Sequence, residues 1–465
     1  MRDDSGLHRP TICYLTVYAV LVALAILVNL PGRVPPDTIE IFYQARNLEV
    51  LNSWHAPFIT FCYWLLAPVG GYPTSGLIIQ SLLLMLWPAA VATRIIQARC
   101  HEGLKAGAFM AWSIVCMMLI GIVGYIVKDM LLIGFMSAAL AAFIGHRADR
   151  KDKPCLALRG LWIFFCILAC CLVRPPNIIV FACATILAAV VSFKQNGIGK
   201  RLGFAGGIIA SVWVTAVMVN IWLLPAPPKE PERATFLFDI VGISYNSDAN
   251  LLEPLARNAK PERTIKDCYK PAMVDNFIWG ECKQYYDIYW ETLTPEIWLN
   301  AIKNHPLSYA KHRVAFMGVV LGNTYTGWIA PWPPYDLAEN TSLNMAPVGP
   351  ERKVGFQLWT PTIAYLPFAR VALNTFTSPL GRPWAWIGIL VLALISLGKL
   401  PVGAERTMIA ILIATGLSNV LMLGIFSTSA DLRYLLPTAF CALVVSVKLV
   451  ELGARRWVLR REPRA

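Results

Sequence analysis

Two carboxylates and a histidine share one polar stretch near the start of the chain, PPDTIEIFYQARNLEVLNSWHAPF at residues 35–58. Asp37 and Glu40 are spaced to share one face of a short helix, with Gln44 a turn further on. Carboxylates so fixed can act as a general base and hold a divalent cation, Mg or Mn, with Asp37 as its ligand. Equally, Asp37 can be the N-cap of the helix that follows it. His55, in SWHAPF, can bind or orient a substrate group or simply turn its polar edge to a membrane interface. Lys128 and Asp129 interrupt two apolar runs, GIVGYIV and MLLIGFM. Ionisable groups in such a place are costly and mark either a site or an ion pair. Arg174 in CLVRPPN and Arg433 in SADLRYLLP stand at helix ends. Together with Lys128 they offer three cations for an anionic head group such as a phosphate.

The elements that must position these residues are apolar helices. With 57% hydrophobic and 15% charged residues in 465, the chain is far more apolar than a soluble domain. Runs at 11–30, 74–98, 104–127, 130–146, 156–173, 177–193, 202–224, 384–398, 407–427 and 434–452 approach the roughly 20 residues that cross a bilayer. Basic residues gather at 94–105, 146–153, 194–201, 398–406 and 455–465, in every second loop. The positive-inside rule then places both termini in the cytoplasm and the loops bearing Asp37, Lys128–Asp129, Arg174 and Asp431–Arg433 outside. The net charge of +13 belongs to those inner loops and calls for no nucleic-acid partner. Parity requires residues 57–69 to lie along the interface, and residues 314–330 and 362–376 either both to cross or both to lie flat. The expectation is an all-α polytopic membrane protein of ten to twelve spans.

Residues 225–312 form the one sizeable polar region, entered through LPAPPKEPER, and read as a small external domain. The chain thus divides into a transmembrane module at 1–224 with its first outer loop at 31–70, the external domain at 225–312, and a second transmembrane module at 313–465. LTPEIWLNAIKNHPLSYAKHRVAF, at the end of the polar region, reads as one or two amphipathic helices. Ten of the twelve cysteines lie in or beside apolar segments and serve as small hydrophobes. Cys268 and Cys282 fall in the external domain, where an oxidising compartment would join them. No Cys or His spacing matches a structural zinc site.

An acidic first outer loop, an aromatic-rich H-x-P segment, cations at outer helix ends and a late external domain together resemble the GT-C superfamily of polytopic glycosyltransferases. More closely, DTIEIFYQARNLEVLNSWHAPFITFCYWLL resembles the first loop of bacterial relatives of the family 39 polyprenyl-phosphate-mannose transferases. That resemblance implies a GT-C-like bundle in the bacterial cytoplasmic membrane with its active site on the periplasmic side. The donor would be a polyprenyl-phosphate-linked sugar, and the acceptor a cell-envelope glycan, lipid or protein. Asp37 would correspond to the catalytic loop aspartate, with Glu40 beside it, and His55–Pro57 to the family's H-P-P segment. His55, Lys128, Asp129, Arg174 and Arg433 would bind substrate. The chain departs from the family in having Asp-Thr-Ile-Glu for an adjacent Asp-Glu pair and His-Ala-Pro for His-Pro-Pro. Two other classes fit in part. A lipid-linked polysaccharide polymerase or ligase would use His305, His312 and Arg313, and a lipid or glycan transporter would also place charges near helix ends.

Overall fold

The computed structural model describes residues 8–322 and 365–461, apart from 31, 33–35, 47, 49–52, 54, 70, 73, 98–101, 146–152, 193–196, 227–229, 248, 256–260, 279 and 401–402. The helices, in chain order, are α1 (His8–Asn29), α2 (Pro36–Arg46), α3 (Pro57–Leu66), α4 (Thr74–Leu84), α5 (Leu86–Gln97), α6 (Glu102–Val123), α7 (Lys128–Gly145), α8 (Lys153–Val173), α9 (Asn177–Ser192) and α10 (Ile198–Met218). There follow α11 (Glu232–Ser247), α12 (Ile265–Cys268), α13 (Asp275–Ile278), α14 (Gln284–Tyr289), α15 (Pro295–Asn304), α16 (Pro306–Gly322), α17 (Tyr365–Thr377), α18 (Pro383–Ser396), α19 (Ala404–Phe426) and α20 (Leu436–Arg461). An isolated antiparallel bridge joins Met273 and Ser429.

Among the described residues six helices or helix pairs, against the ten to twelve spans expected, are long and apolar enough to cross a membrane: Thr11–Asn29, Thr74–Gln97, Lys105–Val123, Gly199–Leu223, Glu405–Phe426 and Arg433–Leu452. Each falls on a run expected from the sequence. The runs at 156–173, 177–193 and 384–398 appear as shorter apolar helices, as does the segment from Pro57. Of the two ambiguous segments, 314–330 falls partly on α16, its residues from 323 lying outside the described ones, and 362–376 falls largely on α17.

The chain groups into two compact units, Met1–Pro227 with Thr326–Gly381 and Pro228–Tyr325 with Arg382–Ala465. The polar region therefore groups with the last three helices.

In the first unit α7 packs against α4, α5 and α8, α6 against α17, and α9 against α10. Its interruptions follow from particular residues. Pro88 has no N–H to give the Leu84 carbonyl, so the helix breaks at Met85 between α4 and α5. The Ser137 hydroxyl fills that vacancy, donating to Leu84 O at 2.8 Å while accepting from Trp87 N at 3.2 Å. Between α6 and α7 the chain is extended over residues 125–127, and its carbonyls are met by side chains. Thr38 Oγ1 donates to Ile126 O, and Gln80 Nε2 donates to Val127 O at 3.0 Å. Asn29 Nδ2, one turn back, donates to Ile120 O at 2.8 Å. In an apolar interior each such donor saves the cost of an unpaired carbonyl, about 1–3 kcal/mol.

In the second unit α11 packs against α15 and α16, and α18, α19 and α20 pack together. Thr294 caps α15, its hydroxyl accepting from Ile297 N, and His305 separates α15 from α16, so the amphipathic stretch is two helices. Cys268 and Cys282 form a disulfide, as their spacing and setting led one to expect. Backbone bonds from Val274 N to Thr428 O at 2.8 Å and from Ala430 N to Ala272 O at 2.7 Å tie the disulfide-closed loop to the segment after α19.

Candidate functional site

Pro36 opens α2, and its fixed φ suits the first helical position. Asp37 is therefore inside the first turn of α2 and not its N-cap, which removes the capping alternative. The Asp37 side chain lies outside those the structure describes. Glu40 and Gln44 do face one another: Gln44 Nε2 donates to Glu40 Oε1 at 3.3 Å, with Gln44 buried and Glu40 half-buried. The Thr38 bond to Ile126 O brings the first turn of α2 against the segment that leads into α7, two residues before Lys128.

Lys128 and Asp129 begin α7, where the helix dipole favours a carboxylate in the first turn. Asp129 has no exposed side-chain surface and pairs with Arg174, Nη1 to Oδ1 at 3.0 Å, while the Arg174 side chain stays 18% exposed. Among the described residues its second oxygen, Oδ2, accepts no hydrogen bond. Arg174 holds its place because Pro175 and Pro176 cannot continue α8. Its own N–H still bonds Cys170 O at 3.2 Å, and Asn177 Nδ2 donates to that same carbonyl at 3.2 Å. Of the two readings of Lys128–Asp129, the ion pair is the one observed for Asp129, formed across helices and not with Lys128. Asp129 faces Arg174, so it shapes a cation before it can touch any substrate.

His55 is 5% exposed, so it does not turn an edge to its surroundings. It precedes α3, whose Phe58 packs against Leu168, Cys171 and Leu172 in the last turns of α8, just before Arg174. One end of the first unit thus collects the start of α2, the start of α3 with His55, the start of α7 with Lys128 and Asp129, and the end of α8 with Arg174. The contacts that do so are long in sequence and short in space. No spacing in the chain announced the Asp129–Arg174 pair, since 45 residues separate its members.

Arg433 belongs to the second unit. Its Nε lies 2.8 Å from Asp431 Oδ2, its backbone N–H donates to Asp431 Oδ1 at 3.0 Å, and its guanidinium lies over the Tyr434 ring. His312 and Arg313 are buried there against Asp239 of α11, at 3.2 Å and 2.6 Å from its Oδ1. Of the three residues named for a polymerase or ligase, these two are thus buried, and His305, between α15 and α16, is half-buried. Asp239 was missed in the sequence although it carried a signal, a lone carboxylate inside the apolar stretch TFLFDIVGI.

Among the described residues no three His, Cys, Asp or Glu side chains come together as a metal ion would require. The cation expected at Asp37 concerns a side chain outside the described ones. Comparison of the sequence with protein-family models and with curated proteins finds no match.

Proposed function

We propose that the protein is a polytopic membrane glycosyltransferase of GT-C type, moving a sugar from a polyprenyl-phosphate donor to a cell-envelope acceptor at the outer face of the bacterial cytoplasmic membrane. The observation that supports this most is the meeting of the α2 start, His55, Lys128 and the Asp129–Arg174 pair at one end of the first unit. In this reading the Asp37 carboxylate takes the proton of an acceptor hydroxyl as its oxygen attacks the anomeric carbon. The bond from that carbon to the phosphate oxygen breaks, and the phosphate leaves with the electron pair. Lys128 and Arg174 stabilise the charge that develops there. Asp129 holds Arg174 in one orientation, and the Gln44–Glu40 hydrogen bond fixes the Glu40 carboxylate on α2.

Purified protein in liposomes with a labelled polyprenyl-phosphate sugar and envelope acceptors tests the reading. A general base contributes typically 10²–10⁴-fold, so Asp37→Asn is expected to slow transfer by about that much. Transfer undiminished in Asp37→Asn removes Asp37 from the mechanism. Export of an intact lipid-linked sugar without transfer would favour the transporter.

A further inference from the structure

The second unit holds a buried chain of polar groups that the proposed reaction does not use. Asp239 of α11 has no exposed side-chain surface and receives three partners. Trp298 Nε1 donates to its Oδ2 at 2.8 Å, and Arg313 Nη2 and His312 Nε2 approach its Oδ1 at 2.6 Å and 3.2 Å. We assign the proton of the neutral His312 imidazole to Nε2, the nitrogen nearer the carboxylate, which leaves Nδ1 as the acceptor. There Tyr269 Oη lies at 2.8 Å and donates. Gly242 is what lets the ring lie on α11, because a Cβ at that position would overlap the imidazole.

Both arms of this cluster end on the same piece of structure. Tyr269 adjoins Cys268 of the disulfide-closed loop. Arg313 Nη1 donates to Ser427 O at 2.7 Å, at the start of the segment that bridges that loop and runs on into Asp431 and Arg433. The titratable and charged groups around His312 are Asp239 and Tyr245 on α11, Tyr269 in the loop, and Tyr309 and Arg313 on α16. With His312 neutral, one carboxylate meets one guanidinium. With His312 protonated, two cations would share that buried carboxylate, and Tyr269 would have to turn from donor to acceptor at Nδ1.

We infer that His312 is an acid-sensitive latch: its protonation puts a second cation on the buried Asp239 carboxylate and reverses the Tyr269 hydrogen bond, which loosens the loop 268–282 and the segment 427–433 that carries Arg433. Burial pushes the His312 imidazole down from its ordinary value, with the Arg313 charge adding to that and Asp239 opposing it. A lowered folded-state value means the unfolded or opened form binds the proton more readily. The stabilisation is therefore complete above the ordinary histidine value of about 6.5 and is lost as pH falls below it.

Amide hydrogen exchange on the full chain in detergent, corrected for the intrinsic pH dependence, reads this directly and needs no substrate. Between pH 7.5 and 5.0, exchange in the peptides covering 268–282 and 427–433 is expected to rise severalfold, because opening becomes easier as His312 takes up a proton. His312→Gln, neutral at both values, is expected to show less than about a twofold change. Equal acceleration in wild type and His312→Gln, or none in the wild type, overturns the latch. Should His312→Gln fail to fold, the wild-type profile is compared with Tyr269→Phe, which cuts one arm and leaves the imidazole. Acid-induced exchange in 427–433 that disappears in Tyr269→Phe overturns a switch centred on His312. None of these outcomes depends on sugar transfer, so the latch and the proposed reaction fail separately.

Discussion

At Asp129 the attraction to Arg174 has to offset the loss of water around a carboxylate with no exposed surface. Removing one member of such a pair costs about 3–5 kcal/mol, whereas exchanging both for apolar groups of similar size is often neutral. Asp129→Ala is therefore expected to lower the unfolding free energy by about 3 kcal/mol, and Asp129→Ala with Arg174→Met to regain most of it, as followed by thermal unfolding in detergent. If the pair serves only stability, the double variant keeps full transfer activity; if Arg174 receives the leaving phosphate, that variant is stable and inactive. Arg174→Lys separates the two roles again, since a lysine keeps the charge but loses the planar guanidinium fork. Both Lys128 and Asp129 were legible as unusual from one sequence, because a charge between apolar runs needs a reason. Which partner answered the charge was not, since Arg174 lies 45 residues away and closeness in space is set by the packing of α7 on α8.

Helix boundaries here are fixed by local chemistry and repaired by distant side chains. Pro88 breaks the α4–α5 span, and Ser137 from α7 satisfies the carbonyl it orphans. Ser137→Ala leaves Leu84 O unpaired in a buried place and is expected to cost about 1–3 kcal/mol, measurable as a lower Tm. Ser137→Ala placed on Pro88→Ala should cost much less, since the helix can then close its own bond. In the polar region the disulfide closes a loop of 14-residue separation between two short helices. Cys268→Ser with Cys282→Ser is expected to lose about 3 kcal/mol, the loop-closure value for that length, with chemical denaturation as the readout. The cysteine pair stood out in the sequence because the other ten lie in or beside apolar segments, whereas α2 starts at Pro36, two residues ahead of the start at Thr38 that a cap at Asp37 implies.

At the scale of the molecule, six spans among the described residues meet the length and hydropathy of a membrane crossing, and the basic loops alternate with the polar ones. The orientation expected from that alternation has its own test. A cysteine placed at exposed Glu291 should react with a membrane-impermeant maleimide in intact cells, and one at exposed Gly199 only after permeabilisation. The reverse pattern would put the α2 end of the first unit on the cytoplasmic side and remove a periplasmic reaction. Labelling of both from outside would contradict the spans themselves.

By itself the sequence determined the apolar character, the positions of the main helices, the disulfide partners and the few charges that stand where charges are expensive. Those follow from composition, periodicity and the missing donor of proline, which act over a few residues. Only the tertiary structure decided that Asp129 answers Arg174, that Thr38 fastens α2 to the α7 approach, and that Asp239 gathers His312, Arg313 and Trp298. It also decided that the polar region groups with the last three helices. Pairings of this kind depend on which helix faces meet, and side chains far apart in the chain choose their partners only once packing has brought them within hydrogen-bonding distance.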